Sequence, residues 1–274
     1  MDTEALRAEI ARLAPWHHDI ELAPGVWTGE RQPDGSWPAE LGAPSVIRPA
    51  KGFATFAAQV WPNGLEGRSF LDCACNGGGY VFVARAHGAG RCLGFDVREH
   101  WIAQARFAAG QVPGEGIEFE VADLADLPAR QLPRFDVTWF SGLLYHLPDP
   151  IAGLRIACDR TEQLIVVNTS IRPRPYDALM LSQESVVDVM SGVHGLAWFP
   201  TNDKVVSEML AWCGFPHSRL RFDRAGDAAG LRRIQLLAAR DAATLADYDT
   251  IMPARVPPQR AGWLRRKLQR LWAR

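Results

Sequence analysis

Residues 70–80 read FLDCACNGGGY, an apolar run that reaches Asp72 and Cys73 and then breaks into Gly77, Gly78 and Gly79 ahead of a helical pattern. Glycines at a strand-to-helix turn let the backbone approach a ligand closely, and unpaired amides at a helix start suit an electron-rich group. Taken alone, such a stretch is equally an ordinary tight turn. The next apolar run, RCLGFD at 91–96, ends in Asp96. That is about 20 residues downstream, where a carboxylate accepts hydrogen bonds from both hydroxyls of a ribose. Together the two features point to a ligand that carries adenosine.

Outward from this turn, short β-branched or apolar runs alternate with longer helical patterns, which predicts parallel strands joined by right-handed crossovers. Strands are expected near 69–73, 91–95, 117–121, 135–140, 163–169, 217–222 and 233–239, and helices near 78–88, 99–110, 150–160 and 202–213. Asp149 followed by Pro150 marks an N-cap with proline at the first helical position, and Gly214 closes the stripe of Val205, Val206, Met209, Leu210 and Cys213. Upstream, Leu6, Ile10 and Leu13 share one face of a first helix, while residues 15–50 are crowded with Pro, Gly and Trp and read as an irregular arm or lid. Residues 170–200 interrupt the alternation at the carboxyl end of the fifth strand, the place for a substrate cover. The expected division is an arm at 1–60, a core at 61–240 and a C-terminal extension at 241–274.

The 274 residues are 47% hydrophobic and 22% charged, enough apolar material for a sizeable core and unlike a disordered or collagen-like chain. Lys+Arg 30 against Asp+Glu 31 leaves a formal charge of -1, so a general nucleic-acid binder loses its commonest warrant. Five cysteines, with Cys73 and Cys75 the nearest pair, form neither a disulfide framework nor a zinc-finger spacing. They read as reduced thiols used in packing, and no metal site is expected. No stretch approaches the roughly 20 apolar residues of a membrane span. The N-terminus carries early acids where a signal peptide needs a basic start, so a cytoplasmic address is expected.

Two further stretches complete the pattern. IEFEVADLADL at 117–127 supplies Asp123, placed to accept from an adenine amino group, and FDVTWFSGLLYHLPDP at 135–150 runs into a loop carrying Tyr145 and His146. The ordered set over roughly residues 60 to 240 resembles class I S-adenosylmethionine-dependent methyltransferases. The resemblance implies a Rossmann-like α/β sheet of seven strands with the last antiparallel, and S-adenosylmethionine lying across the ends of strands one, two and four. It places the methionine part at Ala74, Cys75, Asn76, Gly77 and Gly78, the ribose at Asp96 and the adenine at Asp123 and Leu124. Asp72, Val97 and Ser141 join that implied cofactor set. WHHDIELAPGVWTGE, LDCACNGGGY, ARFAAG, GLLYHLPDP and GLAWFPTNDKVVSEMLAWCGF are similar to the bacterial subgroup related to the tRNA wobble-uridine carboxymethyltransferase. Two positions depart from it. Ala74 replaces a usual glycine, tolerable if its φ is negative. Leu147 and Pro148 follow Tyr145-His146 in place of basic residues, which argues against a carboxylated cofactor unless Arg48, Lys51, Arg172 or Arg174 supplies a cation.

His146 is the candidate general base, because its unperturbed pKa is nearest neutrality and it follows the fourth strand, where the methyl group emerges. A histidine there can equally satisfy a loop carbonyl. Tyr145 either orients a reactant or packs, and His194 and Trp198 in the cover are explained by burial as readily as by function. The tail at 260–274, RAGWLRRKLQRLWAR, sets Arg265, Arg266, Lys267 and Arg270 against Leu264, Leu268, Leu271 and Trp272. It reads as a basic amphipathic helix for an anionic membrane or RNA, or as a helix packed on its own domain. The expected activity is methyl transfer to a hydroxyl of a small metabolite or glycan. Its rivals are a tRNA wobble-uridine modifier, whose affinity would fall with salt, and a cofactor-binding protein without turnover.

Overall fold

The computed structural model describes residues 1–29, 47–112, 114–186, 190–226 and 230–252. Helix α1 (Thr3–Arg12) is capped by Asp2, whose carboxylate accepts from the Ala5 amide, and it buries Leu6 and Ile10 with Leu13 just beyond its end. The arm that follows makes a small hairpin of β1 (Glu21–Ala23) and β2 (Val26–Trp27), then α2 (Pro49–Val60). The sequence reading gave α2 no helix of its own. Pro49 nevertheless opens it at the first position, and Phe53, Phe56, Ala57 and Val60 fall at the i, i+3, i+4, i+7 spacing that buries one helical stripe.

The core runs β3 (Phe70–Cys73), α3 (Gly79–Ala86), β4 (Cys92–Asp96), α4 (Glu99–Ala109), β5 (Ile117–Val121), β6 (Phe135–Ser141), α5 (Pro150–Asp159) and β7 (Thr161–Ile171). After β7 comes a two-stranded unit, β8 (Leu179–Gln183) with β9 (Leu196–Pro200), and then α6 (Asp203–Trp212), β10 (His217–Ala225), β11 (Arg232–Ala239) and α7 (Ala246–Ile251). Asp149 caps α5 through the Ala152 amide with Pro150 behind it, and Gly214 takes the left-handed conformation just past α6. Residues 170–200 therefore contain an antiparallel hairpin as well as loops. The basic tail at 260–274 lies outside the described residues.

Seven strands form one sheet in the order β10-β11-β7-β6-β3-β4-β5. The pairs from β5 across to β7 are parallel, and β11 is antiparallel to both β7 and β10. Side chains alternate between faces. Leu164, Val166, Leu237 and Ala239 pack with α2, α3 and α4, whereas Ile165, Val167, Leu236 and Ala238 pack with α5 and α6. Burial on both faces explains why the central strands read as nearly continuous apolar runs. The chain winds outward from β3 in one direction and from β6 in the other, so a crevice opens at their carboxyl ends.

Candidate cofactor and methyl-transfer site

A cavity of about 820 Å³ occupies that crevice. Strand β3 delivers Asp72 and Ala74 to it, β4 delivers Asp96 and Val97, the turn after β5 delivers Asp123 and Leu124, and β6 delivers Ser141. Asn76, Tyr145 and His146 also line it. Three candidates stand apart from the lining: Cys75 is buried beneath the turn against Gly94, and Gly77 and Gly78 face the protein's own side chains.

The glycine amides are already used. Gly77 N donates to Asn76 Oδ1 at 2.7 Å, Gly78 N to the Cys75 carbonyl at 2.9 Å, and Gly79 N to His18 Nδ1 at 3.0 Å. The expectation of free amides at the helix start is therefore corrected. The need for glycine is steric: at Gly78 a Cβ would sit 2.5 Å from the Phe119 ring, on a backbone with φ of 80°. Ala74 corrects a second expectation, because its φ is 58°, in the left-handed region that costs an L-residue roughly 1–2 kcal/mol. Asn76 shares that region at 51°, where asparagine is better tolerated.

Asp96 Oδ2 accepts from the Asn76 amide at 3.1 Å and Oδ1 from the Arg98 amide at 3.0 Å. Burial raises its pKa, and the two amides oppose that rise. Asp72 is buried more harshly. Its Oδ2 has no hydrogen-bond partner among the described residues, and burial, reinforced by Asp96, pushes its carboxyl well above the usual carboxylate range. A buried carboxyl oxygen without a partner, beside a cavity, fits a cationic ligand group. S-adenosylmethionine presents an ammonium and a sulfonium together with a ribose and an adenine, so Asp72 suits its positive end and Asp96 its ribose. Asp123 Oδ1 caps the 3-10 turn at Ala125, which fixes that carboxylate in the cavity lining.

The arm contributes Arg48 and Lys51, two of the cations that the sequence reading offered, together with His17, His18, Ile47 and Gly52, which it missed; all six line the cavity. Burial, then the neighbouring His17, hold the His18 imidazole well below its ordinary pKa, so its neutral Nδ1 can accept from Gly79. Buried Asp19 pairs with Arg48 at 2.6 Å within the arm. Tyr80 packs at a tilt against Trp139, 4.7 Å between ring centroids, and burial pushes its hydroxyl up to about 12.

At the other end of the cavity Tyr145 and His146 sit side by side, 4.2 Å between rings, and Tyr145 stacks on Phe199 of β9. Burial lowers the His146 pKa, against an opposing pull from Glu184. The expectation that no cation accompanies this pair is corrected by Arg233. It lines the cavity and donates to the Tyr145 hydroxyl, Asn168 Oδ1 and Ser170 Oγ. The reason is topological: β11 runs antiparallel, so its first residues lie beside the carboxyl end of β7, with Arg233 opposite Ser170. Arg172 reaches Ser182 instead, and Arg174 contacts the Pro173 carbonyl. In the cover, Trp198 donates to the Pro148 carbonyl, and exposed His194 reaches the cavity rim.

Residues 65–197 match a family model described as a methyltransferase domain. A ubiquinone biosynthesis O-methyltransferase of Leptothrix cholodnii is 27% identical over 180 residues, 64% of this chain and 74% of that protein. A tRNA U34 carboxymethyltransferase of Campylobacter lari is 31% identical over 91 residues, 33% of this chain and 31% of that protein. The chain thus spans about three quarters of the first relative and less than a third of the second. The N-terminal domain of EvdMO1, solved with SAH bound, shares the fold at a TM-score of 0.66 and 20% identity, covering 87% of this chain and 97% of that one. The seven-stranded order, the strand-end acids and these matches agree: residues 65–197 are a methyltransferase domain, and the chain is similar to class I S-adenosylmethionine-dependent methyltransferases related to the tRNA carboxymethyltransferase.

Proposed function

We propose that the protein methylates a hydroxyl of a small metabolite or glycan that also carries a negative charge. The observation that carries this reading is the cluster of His146, Tyr145 and Arg233 in the cavity that also holds Asp72 and Asp96. When bound, S-adenosylmethionine supplies an electrophilic methyl group that leaves a neutral thioether behind. His146 accepts the hydroxyl proton, Tyr145 and Arg233 orient the acceptor, and Arg233 meets its anionic group. Proximity within a cavity under a cover does much of the remaining work. The ubiquinone O-methyltransferase relative, and an EvdMO1 domain solved in the presence of SAH and D-fucose, support a small hydroxylated acceptor. A cytoplasmic location accords with this reading, and no helix among the described residues is long and apolar enough to cross a membrane.

Arg233 favours one second reading, in which the cation meets the extra carboxylate of a carboxylated cofactor and the acceptor is a tRNA uridine. A turnover screen with methyl-labelled S-adenosylmethionine against metabolite extracts and RNA separates the two. Label in a small acidic metabolite supports the first reading. Label confined to tRNA, or transfer only from the carboxylated cofactor, overturns it.

A further inference from the structure

His146 makes a contact that the proposed chemistry has not yet used. Its Nδ1 lies 2.8 Å from Glu184 Oε2, in the cover just after β8. The same oxygen accepts from the Gly192 amide at 3.0 Å, so the loop between β8 and β9 holds the carboxylate in place. Arg98, two residues beyond Asp96, donates to the Ser191 carbonyl at 2.6 Å and anchors that loop beside the ribose acid. The two side chains are only 15% and 17% exposed.

An ionised carboxylate can only accept, so the imidazole nitrogen facing it carries the proton. In a neutral ring the other nitrogen then bears the lone pair. We propose that Glu184 is a positioning residue that fixes His146 in the Nδ1–H tautomer and leaves Nε2 as the nitrogen that takes the acceptor's proton. This rests on the reading of His146 as base in hydroxyl methylation. An oxygen lone pair forms the new C–O bond as the S–CH3 bond breaks and its electron pair stays on sulfur. The O–H electron pair stays on oxygen while the proton passes to Nε2. The imidazolium that results faces Glu184.

The charges around the ring explain why the cover has to bring a carboxylate. Arg233 from β11 and Arg98 at the start of α4 both disfavour an imidazolium, as does burial, and Glu184 opposes all three. Tyr145, in tilted contact with the ring, is tied through its hydroxyl to Arg233. The base is therefore assembled from two separate pieces of chain, the strand-end loop after β6 and the cover, and is complete only with the cover docked.

Nitrogen-15 NMR of histidine side chains in the full-length protein, free and saturated with S-adenosylhomocysteine, tests this directly. The wild type is expected to show His146 with a protonated Nδ1 and a bare Nε2 at neutral pH. In Glu184→Ala, which removes the acceptor altogether, that preference should be lost and His146 should titrate at lower pH, since the two arginines remain without the carboxylate, while S-adenosylhomocysteine affinity stays unchanged. Gly192→Ala is a second variant that keeps both side chains, because the added Cβ would lie 2.9 Å from Glu184 Oε2 and from His146 Cβ and must displace them. It should produce the same loss of tautomer preference. A wild-type Nε2–H tautomer, or a tautomer and titration identical in wild type and both variants, overturns the proposal. The tautomer is read without an acceptor, so an acceptor other than a hydroxyl would defeat the proposed reaction and leave this measurement able to decide the role of Glu184.

Discussion

Arg233 Nη1 donates to the Tyr145 hydroxyl across 2.9 Å, joining residues 88 positions apart in the chain. The other hydrogen-bond partners of this guanidinium, Asn168 and Ser170, are neutral, so a part-buried cation faces the cavity with no carboxylate beside it among those contacts. Such a charge favours an anionic ligand group.

If that group belongs to the acceptor, ordinary S-adenosylmethionine should bind the wild type at least as well as its carboxylated form. Arg233→Gln should leave cofactor affinity unchanged and weaken binding of the acidic acceptor by roughly 1.5–3 kcal/mol, the worth of a charged hydrogen bond. Calorimetric competition between the two cofactors is the check. A strong wild-type preference for the carboxylated form, lost in Arg233→Gln, transfers the arginine to the cofactor and installs the tRNA-type reaction.

Asp96 is preorganised by two backbone amides, and a ribose held there loses its charged acceptor in Asp96→Ala. Affinity for S-adenosylmethionine should fall by roughly 1.5–3 kcal/mol. Isothermal titration of the variant measures this, and an unchanged Kd would displace the ribose from Asp96.

His146→Ala should slow transfer by roughly 10²–10⁴-fold with cofactor affinity nearly intact, because its ring takes no part in the hydrogen bonds that hold Asp96 and Asp123. Because burial lowers the His146 pKa, the wild-type rate should lose its base only as pH falls below the ordinary histidine range. Single-turnover rates of His146→Ala and His146→Gln give the answer. Near wild-type rates in both variants would leave His146 a packing residue.

His18 links stability to acid. Its folded-state pKa is depressed well below the ordinary value of 6.5, so above that value both folded and unfolded forms are neutral. As pH falls below it, the unfolded chain binds a proton that the folded chain excludes, and stability declines until the folded pKa is reached. Urea melts between pH 7 and 5 should show this slope, and His18→Asn, which keeps an acceptor for the Gly79 amide without a titrating ring, should flatten it. An equal slope in the variant would assign the acid sensitivity to other groups.

The residues that the sequence made legible are those whose chemistry depends on position at a strand end. Asp72, Asp96, Asp123 and the Tyr145-His146 pair follow apolar runs at once, and the parallel sheet gathers such ends at one edge. Arg233 begins its strand, and only the antiparallel direction of β11 carries it to the same edge; two arginines opening the last strand were the available signal. His18 and Glu184 reach the site from the arm and the cover, through contacts spanning 61 and 38 residues that no local pattern encodes. Helix α2 was obscured by the Pro- and Gly-rich text around it, although its apolar spacing is regular.

The closed set of hydrogen bonds within the glycine turn also bears on which adenosine compounds can enter. Dinucleotides are held in doubly wound sheets by a pyrophosphate lying on bare amides at the first helix. Here a diphosphate would find the amides of Gly77, Gly78 and Gly79 already taken by Asn76, Cys75 and His18, and would meet two buried acids in their stead. A positively charged sulfonium ligand faces no such obstacle. The turn thus lacks the three bare glycine amides on which a pyrophosphate lies, even though it shares with dinucleotide-binding sheets an acid at the end of the following strand.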